Sequence, residues 1–488
     1  MNIPELIDCD TALDPKRNRH STWKKARDRM IAEVWPETTP SFQIHSGAKI
    51  FTIGSCFARN IEEHLYRLGF KIPTLEFRVP REEWAARANG ILNKYTPAAI
   101  FQEIEWARNI LLKGGKVTES DSASFLYECA EGACIDTNLG GFVPVTRERF
   151  FERRSQIYDT FKEAFSADYI VMTLGLVEVW FDREKGVYIQ ESPVGKNFTR
   201  NRERFGFQTL SYNDCREFVQ RSIDAIRSVN QEVKFLITTS PVPLSRTFTG
   251  KDVIIANTYS KSLLRTVAGD IATANKHVDY FPSYESVMLT KNWNIWGPDL
   301  LHVADAFVGK VVARLTDTYC RGLEETKKTF LQSYINLSEN SALNALEVGQ
   351  QAVEESPQSG ELRRHYGNLL VQSGTYPEAQ RQFEAGIALT PGDAMLHFKL
   401  SEVLALQGRV RDAIKAAQRS IELVPDNEFS HRHLCRLWMK TGRVGKAAAE
   451  FALAFGHRRL TKTRRPGLKR FFRFVLPRLS RTRWDQPA

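Results

Sequence analysis

Pro357, Pro391 and Pro425 are spaced 34 residues apart, and so are Gly374, Gly408 and Gly442, and Ala379, Ala413 and Ala447. Three residue types keeping one register over three units restrict the last third of the chain to a tandem array. A plain helical bundle has no reason to hold a strict register. A single short unit cannot bury its own apolar face, so successive units stack and share a core. The stretch Leu343–Ser356, which ends at Pro357, reads as a preceding half unit.

The period and the Gly, Ala, Pro order resemble the tetratricopeptide repeat, a helix–turn–helix unit. In such a unit the alanine sits where two helices approach closely, and the glycine loosens the turn between them. The proline ends the second helix, because it lacks an N–H and clashes with the preceding turn. The resemblance implies an all-α superhelix that binds a protein partner.

The 488 residues predict two or three domains, and the 42% hydrophobic share is enough for packed cores. No apolar run approaches a membrane-spanning length. The start, MNIPELIDCD, lacks the pattern of a secretory signal. Seven cysteines at positions 9, 56, 129, 134, 215, 320 and 435 form no CxxC pair. That argues for a reducing compartment and against a disulfide frame or structural zinc, so no metal or cofactor is implied. Cys129 and Cys134 read as ordinary loop thiols. The expected location is cytoplasmic, with the inner face of a membrane as a peripheral option.

The net charge of +11 belongs to one end. Arg458–Arg483 holds 11 Lys and Arg and no acid, and the chain's 68 basic residues less these 11 match its 57 acids. A neutral body argues against a dedicated nucleic-acid protein. The tail interleaves charge with Phe471, Phe472, Phe474 and Leu476. That composition suits an anionic membrane surface or another polyanion, or else a solvated capping end.

Ahead of the array the pattern is α/β. Residues 1–45 read as a polar extension, 46–330 as the α/β domain, 331–457 as the array and 458–488 as the basic tail. Strand-type runs at Lys49–Ile53, Tyr169–Leu174, Val233–Thr238 and Val278–Phe281 alternate with helical patterns at Cys56–Leu68, Cys215–Val229, Tyr259–Asn275 and Val303–Tyr319. Such alternation predicts a parallel sheet covered on both faces, with a site beyond the carboxyl ends of the strands.

Those strand ends carry suggestive residues. The first runs through Gly54-Ser55-Cys56 straight into a helix, whose N-terminus favours an oxyanion. Downstream lies Asp299-x-x-His302, a carboxylate and an imidazole at a spacing that lets both enter one cleft from the start of a helix. An early serine with a late Asp–His pair resembles the SGNH or GDSL hydrolase arrangement. Ser55 as a helix cap, or Cys56 as the nucleophile, are the alternatives, with Cys56 expected to point into the core. His64 is expected at the surface, and Arg200–Arg204 as a solvated loop.

FTIGSCFARNIEEHL at Phe51–Leu65 resembles the signature of the GSCFA family, a relative of the SGNH hydrolases. NGILNKYTP (Asn89–Pro97), MTLGLVEVW (Met172–Trp180), TTSPVPL (Thr238–Leu244), Asn257 with Ser260-Lys261, YFPSYES (Tyr280–Ser286) and PDLLH (Pro298–His302) extend the likeness over about residues 40–320. The resemblance implies a three-layer, flavodoxin-like sheet. It assigns the nucleophile to Ser55, the base to His302 and the orienting acid to Asp299. The oxyanion donors are then the N–H groups of Ser55 and Gly90, with Gly175 as a third. Glu178 and Glu285 are candidate substrate contacts. Two departures stand out: Gly54, not an aspartate, precedes Ser55, and Glu178 stands in the block where SGNH hydrolases carry an asparagine. The implied function is a serine esterase or O-acyltransferase on carbohydrate esters, positioned by the array. The alternative is a non-catalytic glycan- or protein-binding scaffold.

Overall fold

The computed structural model describes residues 9, 30 and 33–455, apart from 81–82, 84–88, 130–131, 195–196, 200, 293–294, 298, 321, 324, 326, 330, 333–334, 336–344 and 426. The basic tail and most of the N-terminal extension lie outside these residues. Contacts divide the chain into two units, residues 1–331 and 332–488. No helix among the described residues is long and apolar enough to cross a membrane.

In chain order the first unit contains β1 (Ile50–Gly54), α1 (Cys56–Arg67), α2 (Pro97–Leu112), β2 (Leu126–Glu128), β3 (Cys134–Asp136) and α3 (Arg147–Phe161). Then come β4 (Tyr169–Leu174), β5 (Glu178–Asp182), β6 (Val187–Ile189), β7 (Phe205–Thr209), α4 (Tyr212–Arg227), β8 (Lys234–Thr239), α5 (Val253–Ala274), β9 (Val278–Tyr280), α6 (Ser283–Leu289) and α7 (Asp305–Tyr319). The main sheet has the order β1-β4-β8-β9, all parallel. All residues of β1 and β4 are buried, as expected of strands covered on both faces. Helices α1 and α7 pack together on one face, and α2, α4 and α5 form the other layer. Because the four strands run the same way, Gly54, Leu174, Thr239 and Tyr280 end along one edge.

The predicted strands and helices are present, with one shift that matters. The last helix begins at Asp305, not Val303, so Asp299 and His302 lie in a loop. Trp296 and Val303 bridge across the base of that loop. Elements the periodicity did not reveal are the β2–β3 hairpin, the antiparallel sheet β6-β5-β7, and helices α2 and α3. Helix α2 buries Ile100, Ile104, Ala107 and Ile110 in the core, and buried charge ties it to α3 and β3. Arg154 of α3 makes a two-pronged bond to Asp136 of β3 (2.6 and 2.6 Å) and a third to Glu103 of α2 (2.8 Å). Lys94 meets Glu103 at 2.7 Å, and all three of these side chains and Lys94 are buried. His64 is also buried rather than on the surface, with Nε2 3.2 Å from Asp305. Of the expected solvated loop, Arg202 and Glu203 are exposed, while Arg204 is paired to Asp182.

The second unit contains α8 (Ala345–Glu355), α9 (Gly360–Gln372), α10 (Tyr376–Leu389), α11 (Ala394–Leu406), α12 (Val410–Leu423), α13 (Glu428–Lys440) and α14 (Val444–Phe455). Helices α9 and α10, α11 and α12, and α13 and α14 pair most closely, and each pair packs on the next. Ala379, Ala413 and Ala447 are each fully buried at these close approaches. Gly374 and Gly408 both have φ +78°, and Gly442 has φ +72°. They therefore do more than loosen a turn: they supply the left-handed residue that ends the first helix of each pair. Each proline lies two residues beyond a helix end and contributes its carbonyl. Arg363, His397 and His431, again 34 residues apart, bond to the carbonyls of Pro357, Pro391 and Pro425 (3.0, 3.1 and 2.8 Å). These contacts tie each repeat to the turn before it.

Candidate active site

The turn between β1 and α1 begins with a glycine for a steric reason. Gly54 has φ +133°, and a Cβ there would stand 2.1 Å from the Thr173 carbonyl oxygen. Only glycine lets β1 end this close to β4, which delivers the next two residues to the helix tip. Ser55 follows in extended conformation as the cap of α1. Its hydroxyl accepts from the Phe57 N–H (3.3 Å), lies 3.3 Å from the Thr173 hydroxyl, and is buried. Cys56 is the first helical residue and is partly exposed.

His302 comes from the loop before α7. Its Nδ1 lies 2.6 Å from Asp299 Oδ2. Asp299 also accepts the backbone N–H groups of Leu301 and His302 at 3.0 Å each through Oδ1. Those backbone bonds, then the imidazole, hold the Asp299 carboxyl well below the usual carboxylate range. The tight turn forces Leu300 to φ +55°, a strained conformation for a branched residue. Asp299 thus caps its own loop and orients the ring, rather than capping a helix.

The ring also responds to Cys56. A side-chain hydrogen bond with Cys56 is the strongest influence on His302 and, with Asp299 and against partial burial, pushes it up to about 9. The expected roles of the two neighbours are therefore exchanged: Ser55 turns back to cap the helix, and Cys56 turns out toward the histidine.

Around the thiol are two more ionisable groups. Burial, and next the charge of Cys56, push the Tyr95 phenol up to about 12. Lys261 of α5 is buried and its Nζ donates to the Gly175 carbonyl at 2.8 Å.

The GSCFA family matches residues 49–315, more than half of the 488-residue chain. The chain belongs to the GSCFA family. A tetratricopeptide repeat family matches residues 367–428, so a GSCFA domain is joined here to a repeat array. Curated relatives include a TPR repeat-containing thioredoxin of Arabidopsis thaliana, 26% identical over 96 residues, covering 20% of this chain and 14% of the relative. Tetratricopeptide repeat protein 33 of Xenopus laevis is 26% identical over 102 residues, covering 21% and 37%. The Hsp70-Hsp90 organizing protein of Triticum aestivum is 32% identical over 85 residues, covering 17% and 15%. The chain therefore spans well under half the length of each of these relatives. Among solved structures, a crystal structure of MamA is similar at 17% identity and a TM-score of 0.26, covering 31% of this chain and 85% of that one. MamA from Desulfovibrio magneticus gives 18% identity and a TM-score of 0.27, covering 32% and 89%.

Within the GSCFA domain the expected oxyanion donors are differently employed. The Ser55 N–H donates to the Thr173 hydroxyl (2.9 Å) and carbonyl (3.3 Å). The Gly175 N–H donates to the Tyr95 carbonyl at 3.2 Å. Gly90 lies in a buried turn, Gly90–Leu92, that Asn89 ties to Glu62 in the second turn of α1 (2.7 Å) rather than to its tip. The far end of the same motif is what reaches the tip. The Lys94 N–H donates to the Gly54 carbonyl at 2.7 Å, and the Tyr95 carbonyl also accepts from Leu176 (2.7 Å). The Asn93 amide in turn donates to the Tyr95 hydroxyl at 3.2 Å.

The two candidate substrate carboxylates have protein partners. Glu178 accepts from the Thr247 hydroxyl (2.6 Å) and the Phe248 N–H (3.0 Å), which anchors the loop after β8. Glu285 accepts from Arg265 and from the Tyr280 hydroxyl (2.7 Å), while Arg265 stacks on the Tyr280 ring at 3.8 Å. Both hold structure. The carboxylate beside the site is instead Glu191, which burial shifts upward while the Gly141 N–H bonds it at 2.8 Å; its charge is felt at Tyr95. Sequence reasoning missed Tyr95, Glu191 and the role of Lys261. Tyr95 and Lys261 lie inside quoted family motifs, whereas Glu191 carries no local signal.

Proposed function

We propose that this protein is a cysteine-dependent acyl hydrolase or O-acyltransferase whose repeat array holds a protein partner. The reading is carried by the site's electrostatics and geometry together: Cys56 is the first influence on the His302 ring, while the Ser55 hydroxyl caps α1 and faces Thr173. A thiol, a proton-accepting ring and a carboxylate that fixes the ring's tautomer are the parts nucleophilic acyl transfer requires. His302 takes the thiol proton, and the sulfur attacks the ester carbonyl. The tetrahedral oxyanion forms at the N-terminal end of α1, where the helix dipole favours negative charge. The Cys56 N–H and the Tyr95 hydroxyl are its donors. As the intermediate collapses, the C–O bond breaks, His302 returns the proton to the leaving alcohol, and a thioester remains on Cys56. Water or an acceptor alcohol, deprotonated by His302, then attacks the thioester and releases the thiolate. Hydrolysis and transfer differ only in that last nucleophile.

Carbohydrate esters are the substrate class, a reading carried by the family resemblance. Locally it is supported by the polar wall of Asn93, Tyr95 and Glu191, whose amide, phenol and carboxyl suit sugar hydroxyls. A cytoplasmic site of action accords with the seven free thiols, and contact of the tail with a membrane rests on its composition alone.

The test is acyl trapping. The full-length protein is incubated with p-nitrophenyl acetate, quenched in acid, digested and read by peptide mass spectrometry. The acetyl group is expected on Cys56, absent in Cys56→Ala and retained in Ser55→Ala. Acetyl on Ser55, or an unchanged rate in Cys56→Ala, overturns the reading.

A further inference from the structure

Lys261 has a surrounding unlike that of the other deeply buried lysine of this unit. Lys94 meets the Glu103 carboxylate at 2.7 Å. Lys261 is 1% exposed, and the partner its ammonium bonds is the neutral carbonyl of Gly175. One residue earlier, the Ser260 hydroxyl accepts from the Val177 N–H at 3.1 Å. The two neighbours clamp the chain that leaves β4. That chain lies against the nucleophile turn: a Cβ on Gly175 would meet the Tyr95 carbonyl at 2.7 Å and the Ser55 Cβ at 3.4 Å.

A clamp on a carbonyl needs one neutral donor. A lysine brings three donors and a charge whose burial is costly without a counter-charge. The ionisable groups around the nucleophile are Cys56 of α1, Tyr95 of the preceding segment, Glu191 beside Tyr95, and Asp299 with His302 of the loop before α7. Of these, Cys56 is the one whose charge acts on Lys261, favouring the ammonium against burial, which draws the group down to about 7.

We propose that Lys261 is a positioning residue whose ammonium is the counter-charge of the Cys56 thiolate from the protein side, as His302 is from the solvent side. The proposal rests on the assignment of Cys56 as nucleophile. The thiolate then has a cation on each side, and Lys261, with Ser260, holds the chain that lies against it. Loss of the Lys261 charge raises the pH at which the thiolate forms.

The experiment uses the full-length protein and iodoacetamide, with alkylation of the Cys56 peptide followed by mass spectrometry from pH 5 to pH 10. For Lys261→Met the rate at pH 7 falls about tenfold and the midpoint of the profile rises by about one pH unit. Lys261→Arg keeps the wild-type midpoint within a few tenths. Ser260→Ala, which loosens the same loop without removing the charge, leaves the midpoint in place. A folded Lys261→Met with the wild-type midpoint overturns the proposal, and so does a Ser260→Ala midpoint that moves as far. Should Lys261→Met not fold, Lys261→Gln, which keeps a donor for the Gly175 carbonyl, is read against the same two outcomes. Alkylation needs no ester, so its result is independent of whether a thioester forms on Cys56.

Discussion

In the repeat array the buried polar side chains find partners about one repeat away or less. The Ser401 hydroxyl donates to the Ala413 carbonyl, Ser420 to the Ala394 carbonyl, and His433 meets Ser401, over separations of 12, 26 and 32 residues. In the GSCFA domain the partners are distant and often charged. Arg154 reaches Glu103 across 51 residues, and the Ser55 N–H reaches Thr173 across 118. The array is a sum of similar local interfaces, so damage there stays near one repeat. The α/β unit closes only when remote segments arrive together, so one lost partner leaves a buried charge or a collision with nothing nearby to relieve it.

The sharpest way to break this contrast is Gly54→Ala. The collision with Thr173 and the positive φ are expected to unfold the α/β unit, a loss of more than about 4 kcal/mol. The array's own thermal transition, followed by circular dichroism, is expected to persist. If both transitions vanish together, the two units do not unfold independently. Arg154→Met comes next. It strips Asp136 of its buried counter-charge, leaves Glu103 with Lys94, and costs about 3–5 kcal/mol in chemical denaturation. A loss under 1 kcal/mol would show that the network is not a main support.

Lys261→Met sharpens the comparison through pH. The folded-state value of Lys261, about 7, lies below its ordinary value. The unfolded chain therefore binds a proton that the native state lacks between pH 7 and about 10. Stability conferred by that site rises with pH across this window and is lowest below pH 7. The stability of Lys261→Met relative to wild type should fall by about 2–3 kcal/mol from pH 7 to pH 9. A pH-independent difference would mean that the lysine does not titrate there. The smallest effect belongs to the array. Gly408→Ala at φ +78°, with open space around it, is expected to cost about 1 kcal/mol from backbone strain alone, within the array's transition. A loss several times larger would mean that the repeats fold as one cooperative block.

Much of the fold was legible because its signals are local. Buried parallel strands such as Tyr169–Leu174 are apolar throughout, and the array repeats its own code. Helix α3 (Arg147–Phe161) escaped notice because its inward face carries Arg153 and Arg154, which look like surface residues until Glu83, Asp136 and Glu103 are beside them. His64 was misplaced for the same reason: its partner, Asp305, is 241 residues away.

The site divides along the same line. By sequence alone, a Gly-Ser-Cys turn after the first strand, an Asp–His pair near the last helix and a 34-residue helical period were determined. Each is written in residues close together in the chain. Only the tertiary structure decided that Ser55 caps the helix while Cys56 acts on His302, that Glu178 anchors a loop and Glu285 ties α5 to β9, and that the charge of Cys56 is felt at Tyr95 and Lys261. Two adjacent side chains at a helix tip point in different directions. Which one faces the site depends on where Thr173 and His302 arrive, and both come from far along the chain.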